Sequence, residues 1–316
     1  MKKIDRKDFF KVLGAAAVSA GLQGGCGGGS AGNSGAPERP ISRRKPITVS
    51  GPQMAVARGP DPEAITRAAV EALGGINLFV SRGDKVLIKP NIGWDRVPAQ
   101  ATTTNPQVVK ALAAMCLDAG AGKVVIMDNT INDPRRCYVR SGIKKVAEEL
   151  GVEIPYAENY KFKKVNVGGE LIKQWPVYSD ALEMDKIINV PVAKHHSASR
   201  LTIGMKNLYG LLGGRRNQLH QDIHLSIAEM TAFFAPSLTV VDAVRILLAN
   251  GPSGGSLSDV KKCDTVIVSV DPVAADAKAA ELFDIEPAQV AYLVLGSEMG
   301  LGTLDPSTLE LKEISL

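Results

Sequence analysis

Three short apolar runs limit what this chain can fold into: Lys85–Lys89, Lys123–Asp128 and Asp185–Pro191. Each is too short for a helix and lacks the polar alternation of a half-exposed strand. Such runs are buried on both faces, which is the condition of strands inside a parallel sheet. Between the first two, Asn105-Pro106 opens a helix, with Asn105 as N-cap and Pro106 at the first helical position. It runs to Asp118 and stops at Gly120. Strand–helix–strand alternation needs right-handed crossovers. The expected fold is therefore an α/β domain over residues 52–316, with a mainly parallel central sheet flanked by helices.

Other elements fill in that frame. Gln53–Arg58, Leu238–Asp242, Thr265–Asp271 and Thr308–Ile314 read as strands, and Lys161–Lys173 as a hairpin turning at Gly168-Gly169. Helices are expected at Pro62–Leu73, Ser141–Leu150, Thr202–Leu212, Gln218–Phe234, Pro272–Phe283 and Pro287–Ser297. Only 5% of residues are aromatic and 31 are Gly, as suits α/β layers better than a β-sandwich. The formal charge is +4, but the first 25 residues hold five Lys/Arg and two Asp/Glu. The rest of the chain carries 32 minus 31, about +1, which excludes a general nucleic-acid binder.

The excess basicity sits in a leader. Asp5–Lys11 (DRKDFFK) resembles a twin-arginine export motif, with Lys7 in the place of the second Arg. An apolar run from Val12 to Leu22 and then Gly24-Gly25-Cys26 come next, in the order of an export signal. Residues 1–26 read as that signal, with Cys26 as the lipidated residue, although Gln23 stands where an aliphatic residue is usual. Residues 27–51 read as a flexible Gly/Ser/Pro tether. The expected location is thus periplasmic, anchored to the membrane through Cys26. The other cysteines, Cys116, Cys137 and Cys263, are too far apart for an iron–sulfur cluster. Cys116 falls on an apolar helix face, and a Cys137–Cys263 disulfide is left open.

All four histidines (His195, His196, His220 and His224) lie between Asp185 and Glu229. They are interleaved with Lys194, Lys206, Asn207, Arg215 and Arg216. Ligands of open α/β sheets gather at the carboxyl ends of strands, where the sequence also puts Lys89, Asn91, Asp128 and Asp242. Lys206, Asn207, His195, His220 and Asp242 are the candidate catalytic residues. Lys89, Asn91, Thr103, Thr104, Lys194, Arg215 and Arg216 are candidate contacts to a small anionic ligand, because cations near helix starts suit carboxylates and phosphates. His220 and His224, one turn apart on an expected helix, form either a divalent-metal clip or a metal-free hydrogen-bonding pair. His195 and His196 are adjacent on an extended segment, so only one of them faces the site. Asp271, before Pro272, reads as a helix cap.

The segments VLIKPN (86–91), TTTNP (102–106), DKIINVPVAKH (185–195), TIGMKNLYG (202–210), NGPSG (250–254) and VDPVAAD (270–276) together resemble the domain of unknown function 362 family. The resemblance runs from about Gln53 to Gly300 and implies one domain of that type. Some relatives carry a ferredoxin-like module whose cysteines are missing here, so no cluster is implied. A looser resemblance to the nickel-dependent lactate racemase fold, which also joins Lys and His, implies a racemase or epimerase alternative. The residues themselves point to an enzyme acting on a small carboxylate or phosphate. A periplasmic metal- or ligand-binding lipoprotein without turnover is the competing reading, and a structural or assembly lipoprotein a third.

Overall fold

The computed structural model describes residues 47–316. The export signal, Cys26 and most of the tether lie outside the described residues, and residues 47–51 form neither helix nor strand. In chain order the strands are β1 (Met54–Arg58), β2 (Lys85–Pro90), β3 (Lys123–Ile126), β4 (Phe162–Asn166), β5 (Gln174–Tyr178), β6 (Lys186–Val190), β7 (Val192–His196), β8 (Arg200–Thr202), β9 (Leu238–Leu247), β10 (Val260–Ser269) and β11 (Leu311–Ser315). The helices are α1 (Pro62–Ala72), α2 (Pro106–Asp118), α3 (Pro134–Arg140), α4 (Ile143–Leu150), α5 (Ser179–Leu182), α6 (Gly204–Asn207), α7 (Ile223–Phe234), α8 (Pro272–Ala280) and α9 (Ala291–Glu298).

The main sheet has the order β11–β1–β10–β9–β6–β2–β3, with β7 bridging β9 and β8. The pairs from β9 through β6 and β2 to β3 are parallel, while β10 runs antiparallel to both of its neighbours. The expected α/β class with a mostly parallel centre is what forms. Both faces of the sheet are buried, which is why its central strands read as unbroken apolar runs. Leu87, Val125, Ile187 and Val241 pack on one side with Ile227 and Phe234 of α7 and Ala277 of α8. Their neighbours Val86, Ile88, Val124, Ile126 and Ile188 pack on the other side with Ile65, Leu112 and Val146 of α1, α2 and α4. Burying one Leu or Ile fully contributes about 1.5–3 kcal/mol, so the two layers together are the main source of stability.

Several boundaries differ from expectation for identifiable reasons. The strand expected to end at Asp242 continues to Leu247, because its second half pairs with β10. Asp242 is therefore a mid-strand residue, not a strand ending. The helix expected over Gln218–Phe234 is broken: a 3-10 segment, Arg216–Asp222, precedes α7. Asp222 leaves helical geometry at φ −135° and its Oδ1 accepts from Leu225 N as the N-cap. The expected Thr202–Leu212 helix is one α turn, α6, tightened into 3-10 geometry over Leu208–Leu211. Helix α3 and the β7–β8 hairpin were not expected. Cys116 is buried as expected, and Cys137 and Cys263 are free thiols. Among the described residues, no helix is long and apolar enough to cross a membrane.

Candidate functional site: a cationic cleft at the carboxyl ends of the strands

A cleft of about 380 Å³ opens beyond the carboxyl ends of β2 and β3 and along β7. Side-chain alternation decides what faces it. Leu87 and Lys89 share one face of β2, so the run that buries Leu87 carries the ammonium of Lys89 to the cleft floor. Lys89 is 1% exposed, and its Nζ lies 2.9 Å from Asp128 Oδ1. Burial holds the Lys89 pKa below its usual range, against the opposing pull of Asp128. The other oxygen of Asp128 accepts from Ile92 N at 2.6 Å, which locks the chain after β2 to the chain after β3.

Asn207 joins these groups to α6. Its Oδ1 accepts from Lys89 Nζ (2.9 Å) and Asn91 Nδ2 (3.0 Å), and its Nδ2 donates to Lys89 O (3.1 Å) and Asn189 Oδ1 (2.9 Å). An amide offers two donors and two acceptor sites, and all four are used. Asn207 therefore holds the site together and has no spare capacity for chemistry. Asn91 is tied further through its Oδ1, which accepts from Lys194 Nζ at 3.1 Å. Lys194 also donates to Thr102 O at 2.7 Å, and burial brings its pKa down to about 7.

Lys206 differs from these residues. It is 6% exposed and lines the cleft, with Nζ 4.5 Å from the centroid of the Tyr209 ring. Among the described residues, no carboxylate lies within ion-pair distance of it. Burial, and then the nearby Arg216, lower its pKa to about 7. Arg216 donates to the carbonyls of Asn129 (2.8 Å) and Thr130 (3.0 Å), which plants its guanidinium in the cleft wall.

Two imidazoles complete the wall, in opposite protonation patterns. His196 Nδ1 accepts from Ala198 N (3.0 Å) and Ser199 N (3.3 Å), so a neutral ring carries its proton on Nε2. Burial and the cations around it, Lys206 first among them, depress its pKa to about 3, and it stays neutral. The His220 ring is stacked on it at 6.2 Å, and its Nδ1 lies 3.4 Å from Arg216 O. A carbonyl can only accept, so His220 Nδ1 carries the proton and Nε2 keeps a lone pair. The cleft thus presents one imidazole N–H and one imidazole base, with the Thr202 hydroxyl buried nearby without a partner.

Of the residues singled out from sequence, Lys89, Asn91, Lys194, Lys206, Asn207, Arg216 and His220 meet in this cleft. His195 does not. Lys194 and His196 share one face of β7, so His195 points the other way and its Nδ1 accepts from Gly251 N at 3.2 Å. Asp242 is buried elsewhere, accepting from Asn105 N (2.7 Å) and Val244 N (3.0 Å), and burial raises its pKa to about 6. Thr104 links Asn91 N to Val190 O, Thr103 is buried away from the cleft, and Arg215 is exposed outside it. His224 lies beyond the break at Asp222 and does not line the cleft, so His220 and His224 do not sit on one continuous helix as expected. Among the described residues, no group of three or more His, Cys, Asp or Glu is placed to hold a metal ion. Tyr209 and Thr202 line the cleft without having been singled out from sequence, and of the adjacent histidines it is His196, not the candidate His195, that faces it. For His196 a signal existed, since it has the same strand parity as Lys194.

Residues 86–281 match the family model described as Domain of unknown function (DUF362). That is more than half of the chain, and the protein belongs to this family. Thylakoid-associated protein sll1697 of Synechocystis sp. is 27% identical over 257 residues, which cover 78% of this chain and 77% of that protein. Among solved structures, the lactate racemase apoprotein from Thermoanaerobacterium thermosaccharolyticum is similar over 74% of this chain, with a TM-score of 0.46 and 11% identity. The chain spans 57% of that structure's length.

Proposed function

We propose that the cleft binds a small carboxylate- or phosphate-bearing compound and that the protein is an enzyme acting on it. The observation that carries this reading is an excess of unneutralised positive charge. Lys89, Lys194, Lys206 and Arg216 meet there, and the single carboxylate among the cleft residues, Asp128, is paired with Lys89. Gathering cations in a partly dry wall is costly unless an anion joins them. Turnover is supported by the two groups not consumed in structural bonds. The Lys206 amine and the His220 Nε2 lone pair lie beside the His196 N–H, and together they can accept, hold and return a proton next to the bound anion. The order of charged, apolar and small residues in the leader supports a site of action outside the cytoplasm, with the chain held at the membrane through Cys26.

Thermal denaturation with a panel of oxalate, malonate, inorganic phosphate and acetate tests the anion site. Stabilisation by at least one anion, lost in Arg216→Ala, is expected. Equal melting temperatures across the panel would refute the reading. Binding without turnover of any compound from the stabilising class would favour the ligand-carrier alternative.

A further inference from the structure

We propose that Lys206 is a nucleophile that captures the carbonyl carbon of a small oxo acid, a compound with both an aldehyde or ketone and a carboxylate. The inference rests on the anion-binding reading above and gives it a substrate class. Of the three cleft lysines, Lys89 is consumed by Asp128 and Asn207, and Lys194 by Asn91 and Thr102. Lys206 alone has an aromatic ring beneath its Nζ and, among the described residues, neither a carboxylate nor an amide oxygen to hold it. A lysine kept for charge alone is served by a carboxylate partner or by water. The Tyr209 face attracts an ammonium far less than a carboxylate would and occupies no lone pair, so Lys206 is left free to react once it loses its proton. Desolvation and the neighbouring guanidinium favour the neutral form, which has the lone pair that an attack requires.

The flanking groups suit the step. The Nζ lone pair attacks the carbonyl carbon as the C=O π electrons move to oxygen, giving a carbinolamine. The carbon–oxygen bond then breaks, and the oxygen leaves as water with the two protons that began on nitrogen, giving the imine. His220, with Nε2 unprotonated, is placed to carry protons from nitrogen to oxygen, while the His196 Nε2–H steadies the developing oxyanion. The remaining cations hold the carboxylate of the same molecule. A monofunctional aldehyde would leave them unmatched, and a plain carboxylate would leave the amine idle.

The experiment is reductive trapping on the whole protein with glyoxylate or pyruvate and sodium borohydride, which delivers hydride to the imine carbon and fixes the adduct as a secondary amine. Peptide mapping by mass spectrometry then locates it. We expect one adduct at Lys206, absent from Lys206→Arg, and blocked in the wild type by excess oxalate. Mapping within the wild-type protein reports the site even if the variant does not fold. Stabilisation by oxalate or malonate with no trapped adduct would overturn the nucleophile and leave the anion site standing. Adducts spread over surface lysines and insensitive to oxalate would also overturn it. Neither stabilisation nor trapping would remove both readings together.

Discussion

Asp276, in α8, accepts the N–H of Gly204 at 2.7 Å through Oδ1 and that of Met205 at 3.0 Å through Oδ2. These are the first two residues of the turn that carries Lys206 and Asn207. From the opposite side, Asn189 Nδ2 donates to Gly204 O at 2.8 Å. A one-turn helix has almost no stability of its own, so α6 stands only because two buried side chains grip its first residue. Asp276 is a positioning residue for a lysine it never touches.

Replacing Asp276 with Asn should therefore cost about 1–3 kcal/mol, the usual penalty when buried donors lose their acceptor. The cost should vary with pH. Burial raises the Asp276 pKa from 3.8 to about 7. A raised acid contributes stability that is fully present below its unfolded pKa and is lost as pH rises through the folded one. The gap between wild type and Asp276→Asn should narrow from about pH 4 to pH 7, as read from urea midpoints. A gap that widens over that window would contradict the assignment.

Gly210 is expected to tolerate no side chain. A β-carbon there would overlap Asp128 Oδ1 and lie 2.5 Å from Lys89 Nζ. Gly210→Ala should part a buried ion pair and destabilise the protein by about 3–5 kcal/mol. Gly51→Ala, where nothing lies within 4 Å, is the neutral control. Denaturation midpoints for the two variants decide the matter; equal midpoints would show that the backbone yields.

Anion binding should weaken with rising pH in a defined window. Lys194 and Lys206, both brought down to about 7, carry charge below that value and lose it above. His196, at about 3, stays neutral throughout and adds no pH dependence near neutrality. Affinity for oxalate, measured calorimetrically, should fall as pH passes through about 7. A Lys206→Met variant should lose part of that dependence, and a flat profile in the wild type would argue that neither lysine neighbours the ligand.

The two adjacent histidines should separate cleanly. His196→Ala removes the N–H facing the ligand and is expected to abolish most anion-induced stabilisation. His195→Ala removes only the acceptor for Gly251 N, at a cost of about 0.5–1.5 kcal/mol in stability and with anion-induced stabilisation retained. The reverse pattern in thermal shifts would mean that the other face of β7 meets the ligand.

At the other end of the chain, we expect the mature protein to begin at a lipid-modified Cys26. Intact mass after membrane extraction is the measurement, and retention of Met1 or an unmodified later terminus would discard the anchor.

Burial explains which elements were legible in the sequence. Strands β2, β3 and β6 were readable because helices cover both of their faces, leaving continuous apolar runs. Helix α2 announced itself through Asn105, whose side chain accepts from Gln107 N as a cap. Asp271 likewise proved to be the cap of α8. The β7–β8 hairpin was hidden because Lys194, His195 and His196 look like loop residues, and their strand is polar for the sake of the cleft. Asp242 misled for the opposite reason. A buried carboxylate satisfied by backbone N–H groups cannot be told in sequence from one at a strand end. The choice between His195 and His196 needed the phase of β7, which Lys194 already supplied.

The alternation along β7 also makes the site digital with respect to chain length. A substitution at Lys194 or His196 changes one contact and leaves the others where they were. An insertion or deletion within Val192–His196 would turn every later side chain of the strand to its opposite face, sending Lys194 or His196 inward and presenting neighbours in their place.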